Sequence, residues 1–374
     1  MCSNIGFSVA VKGLARTWIS ACTSRERLSW WAIWVFAGIV FSSGTAGARG
    51  IAEYSYDVQH TRAAMLYQNP PPSLPWEFQP PRVLEDRPGY WEGVRDELLL
   101  ERIRSSEIRK ITVNRGGSSV SLRLHLADGS SAAFKPDQVH YHSMPRKEIA
   151  AYRVNRLLGL SRVPPATHRI IPRAVLFRKI NAGVWRKRRL SEEIVFRSDN
   201  TVAGEVSWWI PVLSFLPMED WEQRKKWYSW LRADVPMDEE NYEIAAQMSV
   251  MMVFDFLIDN MDRFSGRNVR ANATRDYLYF MDNTLSFFPR NPRGSRVTRS
   301  GLYRTQRFSR RLYEKLRGLT EEKLRMELAK EKDPPWPLLE ESELQMLMRR
   351  RVYALRYIHR TIAQYGWENT MVFP

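Results

Sequence analysis

Two stretches of this sequence place Asp-Asn pairs beside strongly apolar segments. Residues 251–270 read MMVFDFLIDNMDRFSGRNVR, and residues 280–288 read FMDNTLSFF. The first opens as a run suited to a buried helix and ends in Asp259, Asp262 and Arg263, with a glycine just beyond. A loop after such a helix can present Asp262 to a cleft, where a carboxylate accepts or orients the proton of an attacking hydroxyl. Asp282 follows a strand-like run, residues 277–281. A carboxylate there can hold a divalent cation. The plain alternative is two solvated aspartates.

A cationic partner for such chemistry lies upstream. Residues 111–136 read ITVNRGGSSVSLRLHLADGSSAAFKP. Val120, Leu122, Leu124 and Leu126 alternate with Ser121, Arg123 and His125, the period of a strand. Asp128-Gly129 supplies a tight turn, and the returning strand ends at Lys135. Gly116-Gly117 lets backbone amides approach a phosphate closely, although such a pair also makes an ordinary turn. Residues 144–160, MPRKEIAAYRVNRLLGL, then predict a helix with Pro145 near its start and Ile149, Tyr152, Leu157 and Leu158 on its apolar face. Glu148 sits in the first turn, where the helix dipole favours an acid in any case. The series of glycine loop, hairpin, strand-end lysine and helix glutamate is the order in which protein kinases hold a nucleoside triphosphate.

These residues need a scaffold. Residues 241–258 predict a long apolar helix ahead of Asp262. Residues 90–104 have helical periodicity, and 309–331 and 340–364 read as amphipathic helices. At 374 residues the chain is long enough for one large domain or two lobes. With 26% charged and 44% hydrophobic residues it is globular. The net charge of +16 comes from basic residues spread among acids, without an aromatic–basic stripe or zinc spacing. That distribution argues against nucleic acid and suits an anionic substrate such as a nucleotide or an acidic protein.

Two regions flank this core. Residues 28–48, LSWWAIWVFAGIVFSSGTAGA, carry no charge and match the span of a bilayer. Arg25 and Arg27 precede them, which leaves residues 1–27 as a cytosolic tail and everything after Arg49 outside the cytosol. A cleaved signal is the alternative, because Ala46-Gly47-Ala48 resembles a cleavage site. Residues 49–88, Pro-rich towards their end, read as a stem. Both cysteines, Cys2 and Cys22, precede the apolar segment, so the exported part would form no disulfide and no thiolate metal site.

Taken together, the motifs GGSSVSLRLHLADGSSAAFKP, EIAAYRVNRLLGLSRVPPATHR, SFLP, FDFLIDNMDR and FMDN resemble the secretory-pathway kinases of the Four-jointed and Golgi casein kinase (family with sequence similarity 20) type. The resemblance runs from about residue 116 to 310. It implies an α+β, two-lobed protein-kinase-like fold, with a β-rich N-lobe over 89–213 and a mainly helical C-lobe over 214–374. Carried over by position, Gly116 and Gly117 would cover ATP, Lys135 would bind its phosphates, and Glu148 would pair that lysine or help hold metal. Ser214, Phe215 and Leu216 would form the hinge beside adenine, Asp262 would be the catalytic base, and Asp282 a ligand of Mn2+ or Mg2+. Asn268 would be the second metal ligand. It lies six residues after Asp262 where kinases have five, so Arg267 and Asp262 itself are alternatives for that place.

The implied reaction transfers phosphate from ATP to hydroxyls outside the cytosol, on Ser/Thr of proteins or on a glycan. The implied setting is a type II single-pass protein of the Golgi or secretory lumen, or a secreted one, with a bacterial envelope as the alternative. A homo- or hetero-dimer is left open. The competing classes are a pseudokinase that binds ATP and activates a partner, a glycosyltransferase, and a metal hydrolase. Lys135, Glu148, Asp262 and Asp282 are all present, which opposes the first. No Asp-x-Asp occurs, which opposes the second. The third has no use for the lysine–glutamate series.

Overall fold

The computed structural model describes residues 88–114 and 119–374. The tail, the apolar segment 28–48, the stretch up to residue 87, and Gly116 and Gly117 lie outside the described residues. Among the described residues no helix is long and apolar enough to cross a membrane.

A hairpin of β1 (Tyr90–Trp91) and β2 (Val94–Arg95) leads into α1 (Asp96–Ser105). The helix expected over 90–104 therefore starts late. Glu92 and Gly93 have φ of +48° and +82°, a left-handed backbone that no right-handed helix contains.

An antiparallel sheet follows in the spatial order β3-β4-β5-β7-β6. It comprises β3 (Ile108–Val113), β4 (Leu122–Leu126), β5 (Ser131–Pro136), β6 (Ala166–Pro172) and β7 (Thr201–Trp208). β4 and β5 are the expected hairpin. Leu122, Leu124 and Leu126 bury one face together with Ile111, Phe134, Val202 and Val206. Between β5 and β6 runs α2 (Pro145–Leu157). Between β6 and β7 come α3 (Arg173–Lys179) and α4 (Val184–Glu193). β7 passes β5 so closely that a Cβ on Gly204 would lie 2.5 Å from the Lys135 carbonyl oxygen and 2.7 Å from the Phe134 ring. Gly204→Ala is therefore expected to cost about 1–3 kcal/mol through overpacking. Urea unfolding measures this, and wild-type stability in the variant would refute the close approach.

Helices dominate the rest. α5 (Trp221–Trp230), α6 (Tyr242–Ile258), α7 (Arg296–Tyr303), α8 (Arg310–Gly318), α9 (Glu321–Leu328), α10 (Glu341–Tyr365) and α11 (Trp367–Thr370) surround a second core. α6 is its axis, with Met248, Phe254, Phe256 and Leu257 wholly buried. A small sheet of β8 (Ser214–Phe215), β9 (Arg270–Ala271) and β10 (Leu278–Tyr279) borders it, in the order β10-β9-β8. The single helix expected over 309–331 is two, because Leu319 is extended and the Thr320 hydroxyl caps the Lys323 amide of a new helix.

α2 belongs to this second core through Ile149, Tyr152 and Leu158. Side chains pin it as well. Both terminal nitrogens of Arg146 donate to Glu343 in α10, at 2.6 and 3.0 Å. Lys147 Nζ donates to the Ser286 carbonyl at 2.5 Å. Arg153 donates to Glu331 at 2.7 Å, and Glu331 also accepts from Thr167 and from the His168 amide in β6. Burial alone would raise the Glu331 pKa, but these donors hold it at about 2. The stability that this carboxylate contributes is thus present above its ordinary pKa of 4.5 and is lost as pH falls through about 2.

Candidate active site

β5 carries Lys135 to the edge of a cleft, and α2 brings Glu148 in from one side. The strand exit after β10 supplies Asp282, held at φ +59°. Lys135 Nζ donates to Asp282 Oδ1 at 2.6 Å and lies 4.0 Å from Glu148 Oε2. Burial works against the ammonium, but Asp282, Glu148 and Glu205 outweigh it and keep Lys135 above the ordinary lysine pKa. The same ammonium lowers the Asp282 pKa. Glu148 moves the other way, because its burial exceeds the help from Lys135. Its two oxygens accept from Asn283, one from the backbone amide at 2.5 Å and one from the side chain at 2.9 Å.

Asp262 stands on the loop after α6. The helix itself ends at Asp259, whose φ of +55° turns the chain and whose carboxylate accepts from Ser295 and Thr298. Asp262 Oδ1 accepts from the Ser265 hydroxyl, and Oδ2 accepts from Asn268 Nδ2 at 3.1 Å. The longer spacing to Asn268 is absorbed by Gly266 and Arg267, both left-handed at φ +57° and +60°, which fold the chain back onto Asp262. Asn268 Nδ2 also reaches the Asp262 carbonyl at 3.0 Å.

Arg263 ties the two aspartate loops together. It is 1% exposed and bonds Asp255 through two nitrogens, each at 2.9 Å. It also donates to Asn283 Oδ1 at 2.9 Å and to the carbonyls of Asn268 and Met281. Asn260 adds a bond to Asn283 at 3.0 Å. The positions of Asp262 and Asp282 are thus coupled through a buried guanidinium.

The fold brings Lys135, Glu148 and Asp282 into one cluster, and Asp262 and Asn268 into a second that is cross-linked to it. Ser214 and Phe215 form β8 against β9, and the Leu216 amide donates to the Val269 carbonyl. Residues 209–213 separate them from the end of β7. Leu216 is buried in the helical core.

Sequence reasoning missed Asn283, Arg263 and Glu205. The first two lie inside the motifs singled out, FMDN and FDFLIDNMDR. Glu205 gave no signal, because a lone glutamate in a strand reads as solvent-facing. Here it is 1% exposed and paired in register with Lys135, and burial together with the charge of Glu148 pushes its pKa up to about 8.

The donor set fits a hard divalent cation. Among the described residues no group of three or more His, Cys, Asp or Glu is arranged to hold a metal. Two carboxylates, Glu148 and Asp282, suit Mg2+ or Mn2+, which fill their remaining positions with phosphate oxygens and water.

Comparison with known proteins bears on the fold. Residues 194–370 match the family model "Golgi casein kinase, C-terminal, Fam20". The human extracellular serine/threonine protein kinase FAM20C is 22% identical over 51% of this chain, and the chain spans 41% of that relative's length. A crystal structure of the Golgi casein kinase with Mn/ADP bound superposes with a TM-score of 0.61 at 15% identity, covering 88% of this chain and 94% of that one. The structure of hydra Fam20 with sugar gives 0.58 at 19% identity, covering 73% and 90%. The kinase-like α/β fold is shared with these structures.

Proposed function

We propose that this protein transfers the γ-phosphate of ATP to hydroxyl groups, foremost Ser/Thr of extracytoplasmic proteins. The observation that carries this reading is the convergence of Lys135, Glu148 and Asp282, with Asp262 tied to the same cluster through Arg263 and Asn283. In this reading residues 89–213 form the N-lobe and 214–374 the C-lobe, and residues 28–48 hold the chain to a lumenal or cell-surface membrane. Gly116 and Gly117 would cover the phosphates, and Ser214, Phe215 and Leu216 would line the base side of the cleft.

The residues divide the work by their chemistry. Lys135 carries the positive charge that would position the phosphates, and Glu148 and Asp282 would hold the cation. Asn268 uses its Nδ2 on Asp262 and keeps Oδ1 as a further donor oxygen. A bound Mn2+ or Mg2+ would supply charge neutralisation of the triphosphate. Asp262 accepts the proton of the attacking hydroxyl. Phosphoryl transfer is mostly positioning and electrostatics, so these few groups suffice.

The test offers labelled ATP and Mn2+ to the protein with acidic Ser-containing peptides in one arm and glycans in the other. Label in the peptides supports the reading. Label in the glycans alone makes it a sugar kinase, an outcome suggested by the sugar-bound hydra relative. Label in neither arm refutes it. Asp282→Ala is expected to abolish the thermal shift that ATP and Mn2+ produce together. An unchanged shift would remove Asp282 from the cation site.

A further inference from the structure

Three carboxylates surround one ammonium at this site, and two of them have clear occupations. Asp282 receives Lys135 at 2.6 Å, and Glu148 is engaged by both nitrogens of Asn283. Glu205 is the third. It faces Lys135 directly across the β5–β7 ladder, so their side chains rise from the same face of the sheet. It is 1% exposed; its carboxylate is hydrogen-bonded with Ser207, but its Oε1 has no hydrogen-bond partner. A buried acceptor left without a donor costs about 1–3 kcal/mol, so its presence calls for a reason.

The reason follows from what Lys135 must do. Its short bond to Asp282 competes with any cation that this carboxylate would hold. Once Asp282 and Glu148 turn towards a cation, the ammonium loses its nearest acceptor at the moment it must be aimed at phosphate. Glu205 stands opposite Lys135 in the ladder, its charge already acts on the ammonium, and its Oε1 is open to accept a hydrogen bond from it. We propose that Glu205 is a positioning residue that takes over the Lys135 ammonium when Asp282 leaves it, so that the lysine stays anchored while it holds the phosphates.

This inference rests on the phosphotransferase reading for its purpose, but the exchange of partners can be tested without nucleotide. In the parent protein Lys135 is already held by Asp282, so Glu205→Met is expected to change the unfolding midpoint little, the loss of its Ser207 bond being offset by removal of a buried, unsatisfied oxygen. In an Asp282→Asn background Glu205 is already in use. There the same substitution is expected to lower the midpoint by at least about 2 °C. Glu205→Gln, which keeps an acceptor oxygen, should recover most of that loss, and it also serves if the methionine variant fails to fold. Equal effects of Glu205→Met in both backgrounds would overturn the proposal. A second arm measures binding by calorimetry. Glu205→Met should weaken ADP with Mn2+ about ten-fold, since the anchored lysine acts on phosphate, and leave adenosine affinity unaltered. Parallel losses for ADP and adenosine would make Glu205 a structural residue only and overturn the positioning role. If the parent protein binds no ADP, the phosphotransferase reading falls, while the unfolding cycle still decides the partner exchange.

Discussion

Asp262→Ala is expected to reduce phosphoryl transfer by about 10²–10⁴-fold, the range for removing a positioned general base. Binding of ADP with Mn2+ should persist, because Asp262 serves the hydroxyl and not the nucleotide. The alanine also deprives Ser265 and Asn268 of their acceptor, so loop damage must be separated from lost chemistry. Asp262→Asn makes that separation. Its amide oxygen can still accept from Ser265 or Asn268, yet it cannot take a proton at neutral pH. Both variants should be equally inactive if the carboxylate is the base. An active asparagine variant would reduce Asp262 to a loop brace, and an active alanine variant would remove it from the reaction altogether.

The second large effect is on stability. Arg263→Leu is expected to cost about 3–5 kcal/mol, because it leaves Asp255, 4% exposed, as a charge without its partner. Burial already raises the Asp255 pKa against the pull of Arg263, so loss of the guanidinium would push it further up, and protonation would soften the penalty. Replacing both residues by leucine should recover part of the loss, since the penalty lies in the unpaired charge more than in the missing bond. Urea unfolding of the two single variants and the double variant measures this. A single-variant loss below about 1 kcal/mol, the value of an exposed pair, would contradict the burial of this ion pair.

Lys135, Glu148 and Asp282 were legible in the sequence because each sits at a marked place: a strand end, a first helical turn, a strand exit. Local pattern carries that much. What it does not carry is register and side-chain direction. Glu205 became part of the site only when β7 was laid against β5 with Lys135 opposite it. The spacing of Asn268 looked one residue too long because φ values at Gly266 and Arg267 are not written in residue identity. The helix predicted over 90–104 begins late, at Asp96, for a related reason, since a left-handed Glu92 is chosen by the turn around it. The break at Leu319 was readable in principle. Thr320 followed by Glu321 and Glu322 is a helix start, outvoted by an amphipathic pattern that continues in phase across it.

The fastening of α2 has a consequence for control. Many catalytic devices of this architecture are throttled by letting the glutamate-bearing helix swing away, which needs a helix with two resting places. This one is fixed through Arg146, Lys147 and Arg153 to three separate stretches of the helical part. Withdrawing it would break a bidentate guanidinium pair and strand the buried Lys147 together with its acceptors. The helix therefore has one home. In the proposed kinase, output would then be metered by the supply of cation, nucleotide and hydroxyls, and not by the swing of this helix.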